Sequence, residues 1–371
     1  MVKLQKVILN ETSRESWTVI GEDFLPIEPI HLFLKYLENL ERSPNTIKAY
    51  AQALKLYWEF LRVSYLKWDE IKAPDLADFM TWLRSPAPSG TISIVEQQAK
   101  RSEATVNLTL TAVCMFYDYQ EQTGNVSHIP LYRSSVMPGR RYKGFLHHIT
   151  KGKPTRARLL KLKVSRKIPK TIDTDQASQL VAACQNIRDK FLLCLLQETG
   201  MRIGQALGLR HEDIQSWDNL IKICPRKNNA NGARSKSLEP LDLHVTKKLM
   251  TLYTEYVGEF MEILGDNLSD YVFVNLWDGK IGKPMSYSAV MDLFLRLKRK
   301  TGIAITPHML RHSHATDLIR EGMSMAYVQK RLGHASIQTT INTYVHVTNE
   351  DMKVEYQKYL DNRERTDESS T

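Results

Sequence analysis

Residues 306–344 read TPHMLRHSHATDLIREGMSMAYVQKRLGHASIQTTINTY. Thr306 and Pro307 open a helix: threonine offers a capping oxygen, and proline suits the first helical position because the amide it lacks would have no partner there. Helical spacing predicts one helix over Pro307 to Glu321, a second over Ser324 to Leu332 and a third over Ser336 to Tyr344. No strand-like alternation interrupts them, so this part of the chain is read as helical. His308 and Arg311 stand three residues apart and therefore share a helix face. Leu332-Gly333-His334 closes the second helix, and Tyr344 follows His334 by ten residues.

Upstream, the spacing predicts a helix over Thr174 to Cys184 capped by Thr174, and a strongly apolar helix over Asp189 to Glu198 that Gly200 ends. Met201 to Leu209 reads as a short helical turn. Leu220 to Cys224 and Leu238 to Val245 read as strands, with Asn228-Asn229-Ala230-Asn231-Gly232 between them as a hairpin turn signal. Helices resume over Val245 to Ile263 and Ser286 to Lys298. A last one covers about Asn349 to Leu360, ahead of a polar tail.

The first part of the chain carries four amphipathic helical patterns. They begin near Ile27, after Ser43-Pro44 (serine as cap, proline at the first helical position), after Pro74, and near Ser102, the last running to Gln122. Five segments are expected: an N-terminal extension (1–26), a helical domain (27–126), a basic linker (127–169), a second domain, mostly helical with one small antiparallel β-sheet (170–348), and a C-terminal helix and tail (349–371). The fold class is mainly α.

The 371 residues suit two domains, and a hydrophobic fraction of 42% excludes wholesale disorder. The formal net charge is +10, which points to an anionic partner. Residues 131–170 hold thirteen Lys or Arg and no Asp or Glu, more than the whole net charge. Such a run repels itself unless an anion neutralises it, so it is read as a linker lying along a phosphate backbone. The four cysteines, Cys114, Cys184, Cys194 and Cys224, form no C-x-x-C pair and are read as reduced thiols. The first seventeen residues lack a signal peptide's apolar core, and no run is long enough to span a membrane. A cytoplasmic protein is expected.

Thr199-Gly200-Met201-Arg202 adds an arginine placed just after a helix stop. Two arginines, Arg202 and Arg311, can clamp the non-bridging oxygens of a phosphodiester through planar forks. Charge builds on those oxygens when phosphorus becomes five-coordinate, where preorganised cations matter most. His308 and His334 can donate hydrogen bonds and move protons. A deprotonated tyrosine can attack phosphorus and hold it as an ester, so religation needs no ATP. Nothing in this scheme asks for a metal or another cofactor. His308 and His312, at i and i+4, invite a metal reading, but no carboxylate or cysteine completes a set and His314 falls on another face. Tyr344 is one of sixteen tyrosines and stands out only as the close of the ordered set.

These residues resemble the tyrosine recombinase (phage integrase) family: TG-x-R, then H-x-L-R-H-x-x-A-T, then LGH, then a tyrosine. His308-Met309-Leu310-Arg311-His312-Ser313-His314-Ala315-Thr316 and Leu332-Gly333-His334-Ala335-Ser336 carry the second and third boxes. Ser43 to Tyr50 is similar to the opening of the family's helical core-binding domain. The run from Pro225-Arg226 to Lys236 is similar to that of transposases from multi-component tyrosine-recombinase transposons. The resemblance implies a two-domain DNA clamp in which Arg202 and Arg311 bind the scissile phosphate, His308 assists proton transfer, His334 hydrogen-bonds the phosphate and Tyr344 forms a 3′-phosphotyrosine. It also implies a lysine on the hairpin as general acid. Lys236, which starts the returning strand, is preferred to Lys227. Gln205 departs from the acidic residue usual three places after the first arginine; an amide still hydrogen-bonds but holds no cation by charge. The implied partners are double-stranded DNA, further copies of the chain in a tetramer on two duplexes, and accessory recombination proteins. Two other functions stay open at this point: a DNA-binding accessory subunit that has lost its chemistry, and a type IB topoisomerase.

Overall fold

A computed structural model describes residues 2–9, 14–85, 99–135, 155–165, 169–226, 228–235, 239–277, 279–334, 336–344, 356–357 and 359–360. The chain divides into two compact units, Met1–Arg166 and Lys167–Thr371. No helix among the described residues is long and apolar enough to cross a membrane.

The first unit is built on four helices: α1 (Glu28–Asn39), α2 (Pro44–Val63), α3 (Ala73–Arg84) and α4 (Glu103–Gln122). Ser43 caps α2, its hydroxyl accepting from the Thr46 amide at 3.2 Å, and Ser102 caps α4 through the Thr105 amide at 3.4 Å. The apolar stripes of all four face one core, in which Phe33, Leu54, Tyr57, Phe79, Phe116 and Tyr117 are almost wholly buried. The two buried phenols are satisfied in series: the Tyr57 and Tyr117 oxygens lie 2.7 Å apart, and Tyr117 donates to the Trp68 carbonyl at 2.8 Å.

Two strand pairs join this unit where the sequence carries no strand expectation. In residues 1–26, β1 (Lys3–Leu9) pairs antiparallel with β2 (Arg14–Ile20), from Lys3 opposite Ile20 to Leu9 opposite Arg14. Val2 and Val19 enter the helical core, and the Lys48 ammonium sits 4.5 Å from the Trp17 ring. In the basic segment, β3 (Tyr132–Ser135) pairs antiparallel with β4 (Thr155–Arg158). Both strands are fastened to α4: Tyr132 donates to Asp118 at 2.7 Å, Arg158 donates to the Asn107 carbonyl at 3.4 Å, and the Leu162 amide donates to the Asn107 side chain at 2.9 Å. Residues 136–154, with much of the expected phosphate-facing charge, lie outside the described residues.

The second unit packs helices around α6 (Ile187–Thr199), most of which is buried: Phe191, Leu192, Leu193, Leu195 and Leu196 are at most 1% exposed, while Lys190 faces solvent. Asn186 caps α6 through the Asp189 amide at 2.8 Å, and Gly200 ends it with φ +61°. Before it, α5 (Thr174–Ala183) is capped by Asp173 rather than Thr174, because Asp173 and Gln176 bond each other's main-chain amides reciprocally. After it come α7 (Ile203–Ala206) and a single 3₁₀ turn at His211–Asp213. A three-stranded antiparallel sheet follows in the order β5 (Ile214–Gln215), β6 (Leu220–Ile223), β7 (Leu241–His244). Among the described residues, pairing of β6 with β7 stops at Ile223 opposite Leu241, so Asn231-Gly232 lies well outside the ladder and does not close a tight hairpin. The unit is completed by α8 (Lys247–Leu264), α9 (Tyr287–Thr301), α10 (Pro307–Arg320), α11 (Met325–Leu332) and α12 (Ile337–Tyr344). Thr306 caps α10 through the Met309 amide at 3.2 Å, with Pro307 at its start. The expected helix over Asn349 to Leu360 lies mostly outside the described residues.

Candidate active site

Helix ends make the site. The last carbonyls of a helix lack intrahelical donors, and they need partners when buried. Arg311 on α10 supplies them twice: its guanidinium donates to the Gly200 carbonyl at 2.8 Å and to the Leu332 carbonyl at 2.7 Å. One buried side chain, 4% exposed, thereby fastens the turn that precedes Arg202 to the turn that precedes His334. Three motifs far apart in sequence meet on it.

Arg202 is the N-cap residue of α7. Its amide donates to the Gln205 side-chain oxygen at 2.8 Å, and its guanidinium reaches the Gly333 carbonyl at 3.4 Å. It makes no ion pair among the described residues, and burial disfavours its charge. Gln205 is buried, and its amide nitrogen lies 3.5 Å from the Ser235 hydroxyl. The amide therefore keeps the arginine's turn in shape without a carboxylate.

His334 follows the left-handed Gly333, φ +61°. Its Nδ1 lies 2.9 Å from the hydroxyl of Thr340, a fully buried residue of α12. Burial, then Arg311, Arg202 and His312, push its pKa down to about 4. The ring is neutral at pH 7, and the cations that depress it identify its neighbours. His308 is exposed near the start of α10, with its ring centroid 6.5 Å from that of His312. His312 is also held below its ordinary value, by burial and then by His308 and Arg311.

Arg202, Arg311, His312 and His334 thus gather in one electropositive place, with His308 at its edge. Such a cluster favours an anion. Tyr344 is the last residue of α12, the helix that begins just after His334; its side chain lies outside what is described. Lys236 and Lys227 also lie outside the described residues. Their neighbours are described: Arg226 is fixed by both carboxyl oxygens of Asp213, at 2.6 and 2.9 Å, while Ser235 stands against Gln205. Among the described residues no three or more His, Cys, Asp or Glu converge.

Two supporting residues went unnoticed in the sequence. Arg331 donates to His314 Nε2 at 3.1 Å and to the carbonyls of Glu198 and His244, each at 3.2 Å. Burial first, and then Arg331 and Arg311, push His314 down to about 3, so it serves as a neutral acceptor in the scaffold. Thr340 orients His334. A basic residue in a last helical turn and a threonine on an apolar face are both ordinary patterns, and neither advertises these roles.

Residues 170–351 match the phage integrase family, and residues 30–124 match the phage integrase N-terminal SAM-like domain. Over 364 residues the chain is 44% identical to transposase A from transposon Tn554 of Staphylococcus aureus, covering 98% of this chain and 99% of that one. It is 24% identical over 338 residues to the tyrosine recombinase XerA of Pyrococcus horikoshii, covering 91% and 95% of the two chains. Among solved structures, the Tn1549 transposon integrase in complex with a circular intermediate DNA matches with a TM-score of 0.61 at 17% identity, covering 89% of this chain and 99% of that one. The XerH site-specific recombinase bound to a palindromic difH substrate matches with a TM-score of 0.59 at 18% identity, covering 85% and 80%. At these identities the structural matches speak to the fold.

Proposed function

The chain belongs to the phage integrase family of tyrosine recombinases, and from that premise we propose that it transposes a mobile element by cutting and rejoining DNA through Tyr344. It is a site-specific recombinase. The observation that carries the residue assignment is the pair of bonds from Arg311 to Gly200 and Leu332, which brings the Arg202 and His334 turns to one anion-suited place. The relatives named for transposition and the DNA-bound structural neighbours supply the substrate class, double-stranded DNA.

The Tyr344 hydroxyl loses its proton, assisted by His308, and its oxygen bonds phosphorus. As the five-coordinate phosphorus forms, negative charge grows on the non-bridging oxygens, which Arg202 and Arg311 neutralise. Both guanidinium groups are held before substrate arrives, so little reorganisation is needed. The neutral His334 ring gives one N–H; when Nδ1 accepts the Thr340 hydroxyl, that proton is on Nε2 and serves a phosphate oxygen. The bond to the 5′ oxygen then breaks, and that oxygen takes a proton from Lys236. The products are a 3′-phosphotyrosine and a 5′-hydroxyl. A 5′-hydroxyl of the partner strand attacks the phosphotyrosine, restoring the tyrosine and a phosphodiester. One ester is exchanged for another at each step, so no ATP is consumed. Exchange between two duplexes calls for several protomers, a tetramer in this reading, and accessory transposition proteins fit the same scheme.

A nicked duplex carrying an end of the element traps the cleaved state, because the short 5′ strand diffuses away. The wild-type chain should form a covalent adduct on it, and Tyr344→Phe should form none. An adduct with the phenylalanine variant would show that another residue is the nucleophile.

A further inference from the structure

The described residues of the connection over 224–240 join no ladder, yet its middle is tied to three distant segments. The Asn231 amide nitrogen donates to the Leu207 carbonyl at 3.0 Å and to the Met285 carbonyl at 2.9 Å, while its oxygen accepts from the Ala233 amide at 3.1 Å. Asn229 accepts from Arg210 at 3.2 Å and donates to the Ala233 carbonyl at 2.9 Å. The Ala230 amide donates to the Tyr271 hydroxyl at 2.7 Å. A solvent-facing turn needs none of these bonds, since water satisfies its polar groups.

The ties converge on α7, the element that Arg202 opens. Leu207 is the C-cap of α7, and Asn231 satisfies its carbonyl. A Cβ on Gly204 would stand 2.5 Å from the Arg234 carbonyl oxygen, so only glycine lets the two backbones lie so close. A Cβ on Gly208 would stand 3.0 Å from the Asn229 amide nitrogen. Gln205 approaches Ser235 from the same helix. The chain is therefore held against the phosphate-binding arginine's own helix right up to the residue before Lys236. Arg226, beside Lys227, is tied instead to the 3₁₀ turn at Asp213.

We propose that Asn231 is a positioning residue for the leaving-group step, holding residues 228–235 against α7 so that Lys236 can protonate the departing 5′ oxygen. This rests on the recombinase reading above. Proton transfer in a transition state demands geometry first, and a misplacement of about 1 Å costs on the order of 10²-fold in rate.

The test replaces the scissile 5′ bridging oxygen by sulfur in the nicked duplex. A thiolate leaves without a proton because its conjugate acid is far stronger than an alcohol. The full-length protein is used throughout, with thermal melting of each variant as a check on folding. Asn231→Ala and the near-isosteric Asn231→Asp should form adduct about 10²-fold more slowly on the oxygen substrate and within about threefold of wild type on the sulfur substrate. Tyr271→Phe, which deletes only the hydroxyl on the loop's other side, should show the same pattern at about tenfold. Lys236→Ala should be rescued by sulfur, and Arg202→Ala should be slow on both substrates. If Asn231→Asp and Tyr271→Phe are slowed equally on oxygen and sulfur while Lys236→Ala is rescued, the positioning role falls and the lysine reading stands. Should sulfur rescue neither Lys236→Ala nor Lys227→Ala, the general-acid reading itself falls. Rescue of Lys227→Ala alone would overturn the assignment to Lys236.

Discussion

The two units bury different things. Among the described residues, the buried polar side chains of the first unit are Ser16, Thr18, Thr109 and Gln120, none of them ionisable near neutral pH, beside the neutral phenols of Tyr57 and Tyr117. The second unit buries Arg188, Asp189, Asp213, Arg311 and His314. Burying an ion is costly unless partners surround it. The first unit behaves as a scaffold would, gaining stability from apolar contact. The second accepts the desolvation of cations and recovers it in two ways: Arg188 pairs with Asp189 and donates to the Val274 carbonyl, while Arg311 uses carbonyls at helix ends, where unpaired acceptors are already present. The result is an Arg311 guanidinium bonded at both helix ends, with Arg202 beside it against the Gly333 carbonyl. Charge burial thus marks the unit in which the chemistry is proposed, and the comparison can be tested residue by residue.

The largest effect is expected at Arg311. Arg311→Ala leaves the Gly200 and Leu332 carbonyls without their donor and removes one of the two proposed phosphate clamps. Adduct formation on the nicked duplex should fall about 10³-fold. Stability of the second unit, measured by denaturant titration, should fall by about 3 kcal/mol. Arg311→Lys keeps the charge but not the fork that spans two carbonyls, so it should recover little of either. Full stability in Arg311→Ala would mean that the helix ends do not depend on this guanidinium, and the contrast between the units would lose its main support.

Much of this arrangement was legible in advance, and what was not has a common cause. Helix limits are written in local chemistry: Ser43-Pro44, Thr306-Pro307 and Gly200 all act within one turn of the chain, and the structure has helices starting or ending there. The candidate residues were legible as an ordered set of short motifs. What escaped reading depends on contacts across long stretches of chain. Arg311 meets Gly200 over 111 residues, and Asn231 meets Met285 over 54. Asn231-Gly232 carries a strong local turn signal, yet the side-chain amide bonds a remote carbonyl and the connection becomes a docked loop. The β1–β2 pair was missed for a similar reason. Its residues mix charge with apolar side chains, and only packing of Val2 and Val19 on the helical core gives the strands a buried face.

Acid should separate the two units next. His314 titrates near its ordinary 6.5 when unfolded and near 3 in the folded unit, where burial and two arginines oppose its charge. Between those values the unfolded chain takes up a proton that the folded chain refuses. The stabilisation is therefore complete above about pH 6.5 and is lost progressively as the pH falls toward about 3. At pH 5 the loss should be on the order of 2 kcal/mol for the second unit. His334, depressed to about 4 but half exposed, adds a smaller loss in the same direction. His31 and His128, the described histidines of the first unit, are exposed. Hydrogen exchange followed by mass spectrometry at pH 7.5 and 5 resolves the units separately. His314→Gln, which keeps an acceptor for Arg331, should flatten most of the difference, and an unchanged acid response would remove His314 as its source.

The smallest effects lie in the first unit and probe its neutral hydroxyl chain. Tyr117 donates to the Trp68 carbonyl, and its oxygen in turn accepts from Tyr57. Tyr117→Phe therefore orphans two groups, the Trp68 carbonyl and the Tyr57 hydroxyl, in a core whose members are nearly all inaccessible. Tyr57→Phe removes only the outer donor and leaves Tyr117 bonded to Trp68. The expected destabilisation is about 2 kcal/mol for Tyr117→Phe and about 0.5–1 kcal/mol for Tyr57→Phe. Adduct formation should be unchanged in both at temperatures where the unit stays folded, because these hydroxyls serve the packing of α2 against α4. Equal costs for the two substitutions would mean that the hydroxyls do not act in series. A loss of adduct formation without a loss of stability would mean that the first unit's core is arranged for the reaction and not for stability alone.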